Sequence, residues 1–272
     1  MKKKSLEAAK LTAKAFAAEV KRTRRAVLPV GSLEIHGGHA PIGLDTYTAE
    51  HIGLELAQSA DALVFPPIWY ATCSLGYEAK HWPGTLSIDV ESQLAYLTAV
   101  AAEIARQGIE KLVFVNGHGP NGHLLEMAAY KIWSRTGMAM GVLEWWSAAR
   151  ETIKGIKGFA YGNHADEIET SIFLATPHGE LADLSAATVN PTGPQVGPEE
   201  SALYLDHMRY THTFDARWLG QSGNFGDPTR ATKKKGDAIV AATVAIGKKM
   251  FAALDPYVDR VKLKKLRAGE GV

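Results

Sequence analysis

The feature that most constrains this chain is the alternation of short apolar runs with longer segments of helical periodicity. The apolar runs predict buried strands at Ala26–Gly31, Ala62–Pro66, Lys111–Val115 and Met138–Leu143. The other segments predict helices at Thr46–Ala60, Glu91–Gly108, Leu124–Thr136, Glu167–Ala175 and Thr229–Leu254. Strands that are apolar throughout and separated by helices are typical of parallel sheets covered on both faces. The pattern therefore predicts an α/β fold with a mostly parallel central sheet.

The length and net charge of the chain indicate how many domains it forms and what kind of partner it binds. A chain of 272 residues without repeats or a low-complexity linker predicts one domain spanning residues 1–272. Ala186–Glu200, rich in Pro, Gly and Thr, is expected to be an ordered surface loop or lid. A formal net charge of +1 gives no sign of nucleic acid or an anionic membrane as a partner, so a small-molecule substrate is expected.

The N-terminal segment and the number of cysteines indicate the cellular compartment in which the protein is expected. The basic residues Met1–Lys4 precede Ser5–Lys14, whose mixed Ala, Lys and Glu pattern predicts an amphipathic helix and not a signal peptide. No apolar run reaches the roughly 18 residues that a membrane span needs. The single cysteine, Cys73, cannot form an internal disulfide. We therefore expect a cytoplasmic protein.

Histidines and carboxylates collect in three segments near the predicted carboxyl edge of the sheet, where open α/β folds bind ligands. They are Glu34, His36, His39 and Asp45 after the first strand, His118 after the third, and His164, Glu167 and Glu169 farther along. Such ligands suit Zn²⁺, Mn²⁺ or Fe²⁺, whereas the near absence of cysteine argues against a structural thiolate site. Charge favours two ions, because three carboxylates and a bridging hydroxide would neutralise them in a poorly solvated cleft.

Each residue taken alone also has a structural explanation. Asp45 suits a helix N-cap, and a lone histidine at a strand end usually caps or packs. The glycine-rich segment 116–123 is also explained as a plain turn or a phosphate cradle, although it lacks the Gly-Lys-Ser/Thr ending of a P-loop. His39 and His123 are expected to support ligands or to lie exposed. The convergence of three segments is what favours a metal site.

Five motifs, in order along the chain, resemble the creatininase family. LPVGSLEIHGGHAPIGLD (Leu28–Asp45) resembles the family's Gly-Ser/Thr-x-Glu-x-His opening followed by Gly-x-Asp, and HADEIETS (His164–Ser171) its His-Ala-Gly-Glu-x-Glu-Thr-Ser segment. NGHGPN (Asn116–Asn121) resembles its Asn-Gly-His-Gly-Gly-Asn turn, with proline in place of one glycine. WPGTLSI (Trp82–Ile88) and GNFGDPTRAT (Gly223–Thr232) match further family segments. The resemblance implies a three-layer α/β/α sandwich and a homo-oligomer, commonly a hexamer.

The resemblance also implies a ligand set. Glu34, Asp45 and His118 would hold one metal, and His36 and Asp45 the second, with Asp45 bridging. In creatininase itself a Glu two residues after the turn histidine completes the second site. Here that position is Pro120, which cannot ligate, and this leaves creatinine specificity open. The expected replacement comes from the HADEIETS segment, with Glu167 slightly favoured over Glu169.

The resulting hypothesis is metal-assisted hydrolysis, in which a hydroxide bridging the two ions attacks the substrate. His164 is the candidate proton carrier, because an imidazole pKa suits transfer in both directions. A supporting hydrogen bond to a ligand is the alternative role for His164. Glu167 is the second candidate catalytic residue.

Aromatic and polar side chains near the same edge are candidates for substrate binding. The segment CSLGYEAKHW (Cys73–Trp82) follows the second strand and is expected either to wall a small polar substrate or to form a surface or subunit contact. Its candidates are Tyr77, Glu78, Lys80, His81 and Trp82. Trp145 and Trp146 follow the fourth strand, where each either packs in the core or stacks on the substrate.

Several reactions fit this site. The opening of a cyclic amide or a related C–N hydrolysis is the main expectation. Deformylation of an amine and hydrolytic opening of a cyclic keto-inositol, which breaks a C–C bond, are the alternatives. A small-ligand binding module is the alternative outside enzymes. A dinucleotide-binding protein is disfavoured, because no Gly-x-Gly-x-x-Gly turn follows the first strand.

Overall fold

A computed structural model describes residues 6–73, 82–157, 164–191 and 222–269. Its sheet has four parallel strands in the order β2-β1-β3-β4. The strands are β1 (Arg25–Val30), β2 (Leu63–Val64), β3 (Lys111–Asn116) and β4 (Ala139–Glu144). The helices are α1 (Ala13–Thr23), α2 (Leu44–Ala60), α3 (Val90–Arg106), α4 (Asn121–Thr136), α5 (Trp145–Ala148), α6 (Arg150–Lys157), α7 (Glu167–Ala175), α8 (Lys233–Ala253) and α9 (Arg260–Ala268).

The sheet is covered by helices on both faces. Successive strand residues point to opposite faces, so Val27 and Val113 pack with α2 and α5–α8, whereas Leu28 and Phe114 pack with α1, α3, α4 and α9. All four of these side chains are buried. The α/β class and the layered architecture predicted from the sequence are therefore confirmed.

Every predicted strand and helix of the pattern is present, with bounds shifted by a few residues. The predicted helix at Ser5–Lys14 is misplaced. A short 3₁₀ turn occupies Ala8–Lys10, and α1 begins only at Ala13, because the Thr12 side chain accepts a hydrogen bond from Ala15 N and caps the helix there. The predicted helix at Thr229–Leu254 is a 3₁₀ turn at Pro228–Arg230 followed by α8, which Thr232 caps.

The loop predicted at Ala186–Glu200 is described only as far as residue 191, where Asn190 pairs with Gly226 in a short antiparallel bridge. The rest of that segment lies outside the described residues. Within the described ranges, no helix combines the length and the apolar composition that crossing a bilayer requires.

Candidate metal centre

Two glycines allow the loops after β1 and β3 to reach the first turn of α2, where Asp45 lies. An ideal Cβ on Gly31 would come within 2.3 Å of the Thr46 Cα, and one on Gly117 within 2.1 Å of the Asp45 carbonyl oxygen. Any larger residue would push α2 away from the strand ends. These glycines therefore bring the carboxylate of Asp45 to the carboxyl edge of the sheet.

The Asp45 carboxylate lies between two histidines. Its Oδ1 lies 3.1 Å from His36 Nε2, and its Oδ2 lies 2.8 Å from His118 Nδ1. The Ser32 hydroxyl donates to Oδ2 at 2.7 Å. All four side chains are buried. Each carboxylate oxygen thus faces a different imidazole, as expected of a carboxylate that bridges two ligand sets.

Two further carboxylates complete the cluster. Glu34 Oε2 lies 3.4 Å from His118 Nδ1 and 3.9 Å from His164 Nδ1. Glu169 Oε2 lies 3.8 Å from His36 Nε2 and 4.0 Å from His164 Nδ1. Segments far apart in the sequence therefore meet, as the sequence analysis predicted. Among the described residues, Glu34, His36 and His164 form one group able to share an ion.

Each of the three histidines has an inner ring nitrogen, which faces the carboxylates, and an outer ring nitrogen, which faces away from them. The outer ring nitrogen of each lies beside a backbone carbonyl: His36 Nδ1 is 2.9 Å from Glu34 O, His118 Nε2 3.2 Å from Thr72 O, and His164 Nε2 2.6 Å from Ile35 O. A carbonyl can only accept, so each outer nitrogen donates its proton. When it carries no proton, the inner nitrogen presents a lone pair toward the carboxylates, which is the arrangement that carbonyl-bonded histidine ligands adopt.

The acid–base properties of the cluster favour a positive charge among its carboxylates. Burial alone would lower the pKa of His36, but Asp45, Glu169 and Glu34 raise it to about 9. Burial works in the opposite direction on Asp45, and His36 and His118 outweigh it and lower the pKa of Asp45. Burial raises the pKa of Glu169 to about 8. The cluster therefore stabilises cations. When no cation is present, ionisation of its buried carboxylates is unfavourable.

His164 and His39 have the opposite tendency. Burial, followed by repulsion from His36, lowers the pKa of His164 to about 3 and that of His39 to about 4. His39 is buried beside Thr170, with Nε2 at 3.0 Å from the threonine hydroxyl. It therefore ties the loop after β1 to α7, whereas His123 lies exposed on α4.

Glu167 and Glu169 point in different directions. Two helical residues separated by one position diverge by roughly 200° around the axis. Glu169 faces the cluster and accepts from Ala165 N at 2.6 Å. Glu167 instead binds Lys235 Nζ at 2.6 Å, and Arg230 Nε lies 3.7 Å away. The geometry thus favours Glu169 where the sequence analysis slightly favoured Glu167, because α7 turns Glu167 toward cations near the start of α8.

The candidates for substrate binding divide into three groups. Tyr77, Glu78, Lys80 and His81 lie outside the described residues. Trp82 is half-buried near Gly223, whose ideal Cβ would lie 3.5 Å from the Trp82 ring and 2.4 Å from Ile35. Trp145 is only 3% exposed and packs in the core edge-to-face against Trp146. Its environment supports the core alternative and leaves little ring surface for a substrate.

Cys73 also lies at the cluster, although it was not among the site residues predicted from the sequence. The Cys73 sulfur, a Glu34 oxygen and a His118 nitrogen all lie within 4.8 Å of one another, and all three residues are buried. Burial raises the pKa of the Cys73 thiol. The available signal was position: Cys73 comes shortly after the second strand, at the edge where the other polar residues collect.

Comparisons with known proteins identify the family of this chain. The family model for creatininase, creatinine amidohydrolase, matches residues 9–249. The 3-dehydro-scyllo-inosose hydrolase of Thermotoga maritima is 32% identical over 261 residues, covering 92% of this chain and 79% of the relative. A mycofactocin precursor peptide peptidase of Mycobacterium ulcerans is 32% identical over 230 residues, or 80% of each chain.

Solved structures match as well. Creatininase structures, including a zinc–zinc form of a mutant and a manganese form, superpose with a TM-score of 0.77 at 24% identity. They cover 93% of this chain and 100% of the creatininase chain. This likeness bears on the fold, whereas the family match and the curated relatives bear on the class of protein. The chain belongs to the creatininase family and is a hydrolase.

Proposed function

We propose that this hydrolase uses two divalent metal ions to open a small polar cyclic substrate. Glu34, Asp45 and His118 would hold one ion, and His36, Asp45 and Glu169 the other. The observation that carries the proposal is Asp45, whose two oxygens separately face His118 and His36 at 2.8 and 3.1 Å.

The donor set fits divalent ions. Three carboxylates contribute about three negative charges when ionised, and the histidines turn lone pairs toward them. Without a metal ion, protons must separate the acceptor atoms that face one another, and the raised pKa values of His36 and Glu169, about 9 and about 8, keep protons there near neutral pH. Mixed carboxylate and imidazole ligands suit zinc, manganese and ferrous iron. The zinc and manganese forms of the similar creatininase structures support the same group of metals.

Proton transfer during the reaction is assigned to a residue of this chain, His164. When bound, divalent ions supply Lewis acidity, which makes water nucleophilic near neutral pH and polarises the bond to be broken. His164 Nδ1 accepts a proton as water attacks and returns it to the leaving atom. The bond from Nε2 to Ile35 O keeps Nδ1 unprotonated beforehand. The lowered pKa of His164, about 3, keeps the ring neutral and makes it a weaker base than an ordinary imidazole, so it returns the proton readily.

Among substrates, a cyclic keto-inositol is the first candidate. The inosose hydrolase of Thermotoga maritima matches over 92% of this chain, and the motif resemblance implies that Pro120 stands at the position of the creatininase glutamate. In this reaction water adds to a ring carbonyl, the adjacent C–C bond breaks, and the departing carbon takes up a proton. The carbonyl carbon becomes a carboxylic acid at one end of the opened chain. Cyclic amides such as creatinine are the second candidate, because the matching family model describes creatinine amidohydrolase.

The test is a mass-spectrometric hydrolysis screen of metal-supplied protein. Its panel contains cyclic keto-inositols, creatinine and other cyclic amides, formamides and a short peptide. We expect one cyclic class to gain the mass of water. Asp45→Asn should reduce turnover by roughly a thousandfold or more, because it removes the bridging charge while keeping the side-chain shape.

Asp259→Asn is the matched control. Asp259 caps α9 far along the chain from the site segments, and asparagine caps helices equally well. Its activity should equal that of the unmodified protein. Peptide cleavage alone would overturn the choice of a cyclic substrate. Equal turnover by Asp45→Asn and Asp259→Asn would overturn the metal-centre proposal.

A further inference from the structure

We infer that Cys73 supplies a thiolate ligand to the metal position formed by Glu34, Asp45 and His118. That position would then prefer zinc or another thiophilic divalent ion over manganese or magnesium. The inference rests on the proposed function, since it requires a metal at this edge.

The donor atoms converge closely enough to share an ion. The Cys73 sulfur, a Glu34 oxygen and a His118 nitrogen lie within 4.8 Å of one another. Ligands that are about 2.0–2.3 Å from one zinc ion are at most about 4.6 Å apart. Only a small adjustment would therefore bring the three atoms into one coordination sphere. Asp45, whose Oδ2 lies 2.8 Å from His118 Nδ1, would be the fourth donor and complete the number that zinc prefers.

The Cys73 thiol lacks a strong alternative partner among the described residues. Its contacts with carbonyl oxygens are those of Leu33 and Leu86, both at 4.0 Å, the outer limit for a sulfur donor. A cysteine that only filled space would be expected among apolar side chains. This one is 2% exposed and lies beside a buried carboxylate and imidazole.

The backbone that bears the thiol is held firmly. Thr72 N donates to Gln93 Oε1 at 2.7 Å, and Cys73 N donates to Ser87 Oγ at 3.1 Å. Gln93 Nε2 in turn donates to Asn121 Oδ1 at 2.7 Å, and Asn121 Nδ2 donates to Gly31 O at 3.1 Å. This buried chain of hydrogen bonds ties the cysteine segment to the loops after β1 and β3, so that the donors are positioned in advance.

The Thr72 carbonyl also links the cysteine to its proposed partner ligand. It accepts the His118 Nε2 proton at 3.2 Å, which turns the Nδ1 lone pair toward Glu34 and Asp45. One short segment therefore both orients the histidine and delivers the sulfur. A thiolate in this position makes the two metal positions chemically unequal, because soft sulfur ligands favour zinc, cobalt and ferrous iron over manganese and magnesium.

The test is cobalt binding to metal-free protein, followed by absorption spectroscopy and by metal analysis. Cobalt bound to a thiolate gives a sulfur-to-metal charge-transfer band in the near ultraviolet. We expect the unmodified protein to show this band and Cys73→Ser to bind cobalt without it. Because the chain has a single cysteine, a thiolate band has one source. Zinc preference over manganese should fall by about 10–100-fold in Cys73→Ser, the scale of a lost supporting contact at a metal site.

Asp259→Asn is again the matched control, because it keeps the thiol and lies outside the segments that form the site. It should retain the band. If Cys73→Ser does not fold, zinc-edge X-ray absorption of the unmodified protein replaces it, with one sulfur neighbour expected at about 2.3 Å. Metal bound without a sulfur signature would overturn the inference and leave the metal centre intact. A protein that binds no metal at all would overturn both.

Discussion

The buried carboxylates at the two edges of the sheet differ in the groups that compensate their negative charge. At the amino edge, buried Glu110 faces Arg24 Nη1 at 3.0 Å, Arg260 Nε at 3.5 Å and Arg267 Nη2 at 3.9 Å. At the carboxyl edge, the partners described for the carboxylates of Glu34 and Asp45 are imidazoles and a serine hydroxyl. The first edge is neutralised by permanent cations of the chain, and the second has carboxylates whose neighbours carry no permanent charge.

The difference distinguishes carboxylates that stabilise the fold from carboxylates that are available to bind a metal ion. A buried carboxylate with arginine partners is satisfied by the fold itself, whereas the carboxylates of the buried cluster face imidazoles, so their charge is compensated either by protons on those rings or by a metal ion. Helix α7 repeats the contrast over two residues. Glu167 binds Lys235, and Glu169 faces the histidines. The following predictions test whether charge compensation by the chain distinguishes the structural carboxylates from the metal ligands.

The largest effect is expected from the two glutamates of α7. Glu169→Gln should lower affinity for the second ion by about 100-fold or more, and turnover with it, because a carboxylate ligand is lost. The glutamine oxygen can still accept from Ala165 N, so the local backbone bond is kept. Metal content is measured by mass spectrometry, and turnover on the substrate found in the screen.

Glu167→Gln is the matched variant. It should keep both ions and lose about 1–3 kcal/mol of stability, because Lys235 loses its charged partner. If Glu167→Gln lost metal and Glu169→Gln did not, the assignment of the two glutamates would be reversed.

A smaller effect is expected when the stability of the metal-free protein is measured as a function of pH. His36 has a folded pKa of about 9, above its ordinary value of 6.5, and Glu169 one of about 8, above 4.5. A raised pKa stabilises the folded state at low pH, and that contribution is lost as pH rises through the folded value. The loss between pH 6.5 and 9 should be on the order of 3 kcal/mol, or about 5–10 °C in Tm.

Metal should remove this dependence, since bound ions replace the protons and bind more strongly as pH rises. Thermal melting with a chelator and with added zinc, across that pH range, measures both curves. A metal-free Tm that stayed level from pH 6.5 to 9 would contradict the charge deficit inferred for the carboxyl edge.

The smallest effect is expected at the amino edge. Glu110→Gln should cost about 1–2 kcal/mol, because its arginine partners are 36–63% exposed and remain hydrated. Metal content and turnover should equal those of the unmodified protein, as measured by the same assays. Loss of metal in this variant would mean that the two edges are coupled and not independent.

Much of the fold and most of the candidate cluster could be predicted from the sequence. Apolar runs such as Lys111–Val115 can form only buried strands between helical layers, and parallel strands place their following loops at one edge. For this reason Glu34, His36, Asp45 and His118 could be expected to lie close together. The start of α1 differs from the prediction, because the Thr12 side chain caps the helix within the Ala/Lys/Glu pattern.

By itself, then, the sequence determined the layered α/β architecture, the edge where the candidate ligands collect and the residue types found there, because these follow from local periodicity and from the chain order of the motifs. The tertiary structure decided the rest. Glu169 and not Glu167 faces the histidines because α7 packs with one side toward the cluster and the other toward Lys235, a residue distant in sequence. Trp145 lies in the core, and Cys73 reaches Glu34 and His118, because of packing and hydrogen bonds between elements that no local pattern records.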